Sequence, residues 1–354
     1  MTGDEPVIVK CMASTPTREP ARRAVLGLAG SAAVAALAAC SSSPHTPRRT
    51  TSSTTAPTPT ATPSPTPTPT RAGRPLTGGP VLAAKIDHTA GSYPRAGIAS
   101  ADVVYVEPVE AGLTRLLAIF STSMPSVIGP VRSGRESDVD LLASYGPVAF
   151  AFSGGSGYTM AILARGKQVN LADGAGFYRD HNRWAPYNLM GQPAALLHRA
   201  GGSVRPHDPG FRYAPTLTPG GAPATRVATA WQRARMELAW DARSGRYHPR
   251  IDGLPETDAL TGRVVGVATV VVQTVRTSLS QNRDVNGVQT PVVHVIGQGP
   301  AVVLRSGKVW RGTWNRPSVT TPTTWRDTAG AEILMAPGPL WVLLVPAGQA
   351  VTVT

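Results

Sequence analysis

From Val81 onward, short apolar runs alternate with polar breaks, and the spacing of the runs predicts the elements. "VLAAKID" (Val81 to Asp87) and "DVVYVEP" (Asp102 to Pro108) read as strands, and "LTRLLAIFS" (Leu113 to Ser121) is a third candidate. Helices are expected after Ser133, over Tyr158 to Ala164 and over Pro193 to Ala200. A Pro- and Gly-rich stretch from Asp208 to Thr225 lacks periodicity and predicts a boundary loop. Beyond it nearly everything reads as strand, with β-branched runs at Val264 to Val275, Thr290 to Gly297 and Leu340 to Pro346. Arg243-Ser244-Gly245-Arg246 and Arg305-Ser306-Gly307-Lys308 read as hairpin turns, because glycine supplies the positive φ that such turns need. The expected class is therefore α+β: an α+β N-terminal domain over 75–210, then a mostly β C-terminal domain over 226–354.

Two other segments precede these. Residues 18 to 40, "REPARRAVLGLAGSAAVAALAAC", have a basic start and a small, apolar middle. The apolar run, Ala24 to Ala39, is shorter than the ~20 residues of a membrane-spanning helix. Its end, Leu37-Ala38-Ala39-Cys40, resembles a bacterial lipoprotein signal, so 1–40 is read as a signal peptide ending at an acylated Cys40. Translation from Met1 or Met12 both fit, as do general and twin-arginine export, the latter suggested by Arg22-Arg23 followed by Val25 and Leu26. Residues 41–74 are a Thr/Pro-rich stretch with no Leu, Ile, Val or aromatic residue to bury, and read as a disordered tether. Extended, such a tether reaches on the order of 100 Å. The location this implies is the extracytoplasmic face of a bacterial cell membrane, with lipid on Cys40 as the attachment.

Formal net charge is +13, mostly from arginine, since Lys10, Lys85, Lys167 and Lys308 are the only lysines. Such a charge favours anionic polymers and anionic lipid alike. The only cysteines, Cys11 and Cys40, precede the folded segments, which excludes a disulfide framework, thiolate metal ligation and a cysteine nucleophile there.

Two arginines, a glutamate and an aspartate lie within seven positions of "GPVRSGRESD" (Gly129 to Asp138). Ser133 and Glu136 fit a capping box at a helix start. Arg132 and Arg135 do not belong at the positive end of a helix unless a bound anion, or an internal carboxylate such as Glu107 or Glu110, answers them. If Pro108 to Gly112 is a hairpin loop, Glu107 and Arg115 are diagonal neighbours on one sheet face. They then either pair internally or leave one member to meet a ligand. "RDHNRWAPYN" (Arg179 to Asn188) is either a solvated loop or a rim over the same cleft, which brings in Arg179, Asp180 and Asn188.

"ADVVYVEPVEAGLTRLLAIF" (Ala101 to Phe120), "IGPVRSGRESD" (Ile128 to Asp138), "SGG" (Ser153 to Gly155) and "FYRDHNRWAPYNL" (Phe177 to Leu189) resemble the YerB-like family of bacterial lipoproteins, a family of domains of unknown function. "VVVQTV" (Val270 to Val275) and "SGKVWRGTWNRPSVTTPTTWRDTAG" (Ser306 to Gly330) resemble that family's second domain. The resemblance implies the two-domain layout and no particular reaction. His88 departs from it, since asparagine is expected after Asp87.

Standard catalytic signatures are missing. There is no His-Glu-x-x-His, the seven histidines are scattered, and no Ser-x-x-Lys or complete phosphate loop occurs. No metal or cofactor is expected, and no aromatic-basic module suggests nucleic acid. The expectation is a non-enzymatic envelope lipoprotein. It would bind an anionic wall polymer or an envelope protein through a cleft containing Glu107, Glu110, Arg115, Arg132, Ser133, Arg135, Arg179, Asp180 and Asn188. The alternative is a cell-wall hydrolase using a carboxylate pair drawn from Asp87, Glu107, Glu110 and Asp180.

Overall fold

A computed structural model describes residues 79–204, 208–284 and 287–354. The segments read as a signal peptide and a tether, with Cys40 between them, lie outside the described residues. In chain order the N-terminal half contributes β1 (Leu82–Asp87), β2 (Val103–Pro108), β3 (Thr114–Phe120), α1 (Ser137–Ala143), β4 (Ala149–Ala151), α2 (Gly157–Leu163), β5 (Val169–Leu171), β6 (Phe177–Arg179), β7 (Leu189–Gly191) and α3 (Pro193–Ala200). There follow β8 (Ala222–Pro223), β9 (Arg226–Trp231), β10 (Ala234–Asp241), β11 (Arg246–Ile251), β12 (Leu254–Pro255) and β13 (Thr269–Arg283). The chain continues through β14 (Gln289–His294), β15 (Gly297–Arg305), β16 (Lys308–Arg316), β17 (Thr324–Asp327), β18 (Leu340–Pro346) and β19 (Val351–Val353).

The expected α+β class does not hold. The α-helices among the described residues have seven, seven and eight residues, and the fold is mostly β with large mixed sheets. The helical periodicities were placed correctly, but each supports only two turns. The N-terminal strands, by contrast, belong to a sheet much larger than their own segment. That sheet has twelve strands, with the path β17-β16-β15-β13-β18-β2-β3-β1-β4-β5 and with β14 and β8 attached to β13 and β16. β18 runs parallel to both β13 and β2, so strands from the two halves hydrogen-bond directly.

The period-2 pattern explains why the sheet is covered on both faces. Leu82, Ala84 and Ile86 of β1, Val104 and Val106 of β2, and Leu116, Ala118 and Phe120 of β3 point into one apolar layer. A five-stranded sheet, β12-β11-β10-β9-β19, packs there through Val227, Met236, Leu238 and Tyr247. The alternate residues Ala83, Val103, Tyr105, Leu117 and Ile119 point into a second layer with Leu141 and Leu142 of α1, Leu163 of α2 and the tryptophans Trp310, Trp314 and Trp325. Lys85, Asp87, Glu107 and Arg115 continue the parity of this second face, so the alternation that buries the valines also buries these charges.

The turn between β9 and β10 docks on the loop between β2 and β3. Arg233 donates its backbone N–H to Gly112 O at 2.9 Å. Gly112 has φ 68°, and a Cβ there would lie 2.3 Å from Gln232 Cβ, so glycine is required on two counts. Gly112→Ala should therefore lower stability by about 1–3 kcal/mol in urea titrations. Gly154→Ala, also at positive φ (80°) but facing open space, should lose clearly less; equal losses would mean that the docking contact contributes nothing.

Candidate functional site

Three segments converge at one end of the central strands. Val131 bridges to Ile86, and Arg132 N–H donates to Lys85 O at 2.9 Å, so the "GPVRSGRESD" stretch lies along the end of β1. On its other side Ser153 N–H donates to Arg132 O at 2.8 Å and Gly134 N–H to Gly154 O at 3.0 Å. A Cβ at Gly134 would meet Leu163 Cδ1 at 2.8 Å, which fixes glycine at this close approach.

The capping box does not form. Helix α1 starts at Ser137, its N-cap Glu136 is already helical, and no side chain caps it. Ser133 is too far upstream, because the stretch stays extended while it bonds to β1 and to the 153–154 loop. Asp138 Oδ2 instead accepts from Arg135 N–H at 2.7 Å, and the Glu136 carboxylate accepts from Ser280 Oγ.

Register places Glu107 directly opposite Arg115 rather than diagonal to it, yet the two do not pair. Glu107 accepts from the Lys85 ammonium, which also donates to Asp138 Oδ1 at 2.7 Å, and all three side chains are shut off from solvent. Burial pushes Glu107 up to about 7, against the pull of Lys85 and with a further push from Asp138. Arg115 turns to Asp87, with Nη2 3.4 Å from Oδ2, and the same carboxylate oxygen lies 2.8 Å from Arg132 Nε. One carboxylate thus faces two guanidiniums. Burial would raise Asp87, but Arg115, two hydrogen bonds from Thr89 and then Arg132 outweigh it and hold the group below its ordinary value. Arg115 is brought down to about 10, first by burial and then by its neighbours Arg135 and Arg132, with Asp87 only partly compensating. Among the described residues its one hydrogen bond is Nη1 to Thr114 O at 2.9 Å, and its buried Nε has no hydrogen-bond partner. The neighbouring His88 is buried and driven well below its usual range by burial and by Arg95 and Arg115, so it stays neutral, with Nδ1 2.8 Å from Thr114 Oγ1.

Arg135 is matched more fully. Its Nη2 and Nε donate to Glu110 Oε2 at 2.6 and 3.2 Å, and Glu110 Oε1 accepts from Thr290 Oγ1 at 2.5 Å. Burial would raise Glu110, but Arg135 and the Thr290 hydrogen bond hold it below its ordinary value.

Above this network opens a cleft of about 600 Å³. Of the residues expected from sequence, Glu110, Arg115, Arg132, Ser133 and Arg135 line it. Glu107 lies beneath and does not reach it. Arg179 lines a neighbouring cavity and bonds Asn188 Oδ1 at 2.7 Å, while Asp180 pairs with Arg183; neither Asp180 nor Asn188 lines the cleft. The C-terminal half adds Arg233 from the β9–β10 turn and Asn282, Arg283 and Asp284 from the end of β13. Arg233 has no side-chain partner among the described residues. Sequence reasoning missed Lys85 and Asp138, although a lysine within the apolar "VLAAKID" run was a signal that a buried partner was needed. Nothing local marked Arg233 or Arg283, which reach the cleft through hairpin geometry. Among the described residues no group of side chains is arranged to hold a metal ion, and no helix is long and apolar enough to cross a membrane.

Residues 66–205 match the N-terminal domain, and residues 226–342 the C-terminal domain, of the family described as "Protein of unknown function (DUF3048)". The chain belongs to this YerB-like family. A curated relative, "Putative lipoprotein YerB" of Bacillus subtilis, is 24% identical over 293 residues, covering 77% of this chain and 83% of the relative. The crystal structure of YerB protein from Bacillus subtilis superposes with a TM-score of 0.64 at 20% identity, covering 77% of this chain and 94% of that one, and so shares the fold.

Lys85 is the only cation contacting Glu107 and Asp138 among the described residues. The folded chain holds the Glu107 proton more tightly than the unfolded chain does. This group's contribution to stability is therefore full below 4.5 and is lost as pH rises towards 7. Lys85→Met leaves two buried carboxylates unanswered and should cost about 3–5 kcal/mol at neutral pH. Glu107, freed of the pull of the ammonium, then takes its proton more readily, so denaturation midpoints should show the deficit shrinking on acidification. A deficit independent of pH would remove the ammonium from this role.

Proposed function

We propose that the protein is a membrane-anchored lipoprotein on the extracytoplasmic side, and that it binds an anionic envelope ligand in the arginine-lined cleft. The anchor rests on the Leu-Ala-Ala-Cys sequence ending at Cys40 and on the lipoprotein name of the Bacillus subtilis relative. The binding role rests on one observation. The cleft gathers Arg115, Arg132, Arg135, Arg233 and Arg283 against Glu110 and Asp284, with Asp87 behind them shared by two of the five. Guanidiniums left under-compensated in a concave, partly dry site favour an incoming carboxylate or phosphate.

Hydrolysis by a carboxylate pair finds less support. Glu110 and Asp87 are both held ionised by arginine, which suits neither to deliver a proton, and Glu107 is sealed from the cleft. An anion-binding surface requires none of these groups to change its protonation.

The cleft is tested by titrating the full chain with inorganic polyphosphate at low and high salt. Arg132→Gln combined with Arg233→Gln should weaken binding by about tenfold or more, as expected for loss of two charge-assisted contacts, and should flatten the salt dependence. Unchanged affinity in a normally folded double variant would count against the cleft. The anchor is tested separately. Cys40→Ser should abolish incorporation of labelled fatty acid and release the chain from the membrane fraction, and labelling that persists would place the lipid elsewhere.

A further inference from the structure

Next to the cationic cleft is a second cavity of different character. It measures about 330 Å³ and is lined by Phe177, Tyr178 and Leu189 together with Ser153, Asp173 and Arg179. Ser153 lines both cavities, so the two adjoin. Here the formal charges cancel, one acid against one arginine, and the polar groups both donate and accept. Tyr178 is 39% exposed although it belongs to a strand, so an aromatic ring is held up to solvent on the β6–β7 ribbon. Along the same ribbon's loop, Trp184 is 75% exposed and 6.4 Å from the Tyr187 ring. Tyr187 in turn lies under the Arg132 guanidinium, 5.9 Å from centroid to carbon. Aromatic surface therefore leads up to the rim of the arginine cleft.

We infer that the two cavities form one groove for an anionic glycan. A neutral sugar ring enters the cavity lined by Phe177, Tyr178 and Leu189 with its hydroxyls met by Asp173, Ser153 and Arg179, while a carboxylate or phosphate on the same strand enters among Arg115, Arg132 and Arg233. A pyranose has apolar C–H faces and an equator of hydroxyls that both donate and accept, which matches an apolar cavity with a few convergent polar groups. A bare polyanion would satisfy the cleft but gain nothing from the cavity. A nucleic-acid strand would bring its phosphates close to Asp173, where they are repelled. This inference rests on the anion-binding role of the cleft and specifies what else the ligand carries.

The experiment titrates the full chain with hyaluronan oligosaccharide, in which neutral and carboxylate-bearing sugars alternate, phosphomannan, inorganic polyphosphate and oligothymidylate. The first two separate carboxylate from phosphate as the charged group. Either glycan should bind more tightly per charge than polyphosphate. Tyr178→Ala should weaken the glycan by about five- to tenfold, the scale of a lost aromatic contact, and leave polyphosphate unchanged, while Tyr178→Phe should retain glycan affinity. If polyphosphate binds as well as the glycans and Tyr178→Ala affects none of them, the glycan assignment is overturned and the cleft's role stands. If no polyanion binds, both fall. Oligothymidylate binding more tightly than either glycan, with the same dependence on Tyr178, would overturn the glycan in favour of a nucleic acid.

Discussion

An ammonium group with no water around it sets the terms for this end of the sheet. Lys85 sits on a strand whose alternation leaves it no route to solvent, and it is held by Glu107 from β2 and Asp138 from α1. Removing charges from water is expensive, and their mutual attraction offsets that cost only when geometry is good and the remaining lone pairs are used. Asp138 meets that condition by turning its second oxygen to the Arg135 N–H, which fixes the backbone just before α1. The same contact aims the Arg135 side chain at Glu110, and Glu110 is in turn secured by Thr290 on β14. The polar chain thus runs from the central strands, through the short helix, to a hairpin of the other half.

The candidate site is a product of this arrangement rather than of any one segment. The N-terminal family domain supplies three of the four arginines that sequence singled out, and the C-terminal domain supplies two more from hairpin ends. A compensated group is poor bait for a ligand, and Arg135 with its Glu110 partner is nearly compensated. Arg115 and Arg132 are not, because they divide a single carboxylate, and the Arg233 guanidinium has no partner among the described residues. These three, together with Arg283, leave the cleft with a positive balance.

Strands were legible in the sequence because a buried strand writes its period plainly. Leu340 to Pro346 was placed at its observed ends, and the first three strands within a residue at each end. The fold class was not legible, since runs such as "VVYVEP" do not say which distant strand will lie beside them. Here it is β18, some 235 residues later, that makes the sheet continuous. The Glu107–Arg115 proximity was legible from hairpin logic, whereas the actual partners, Lys85 and Asp87, come from a strand that only tertiary pairing brings alongside. Ser133 and Glu136 had the spacing of a cap, but backbone bonds to β1 and to Gly154 kept that stretch extended past the point where a cap is made.

The position of β18 between β13 and β2, with β19 closing the smaller sheet against β9, has a bearing on biogenesis. Neither sheet can be completed before β18 and β19 have been synthesised. Until then β2 presents an unzipped hydrogen-bonding edge to whatever else is nearby. The two halves recognised as separate domains are therefore one unit for quality control, and a nascent chain stalled short of Leu340 would expose a sticky seam rather than a finished N-terminal module.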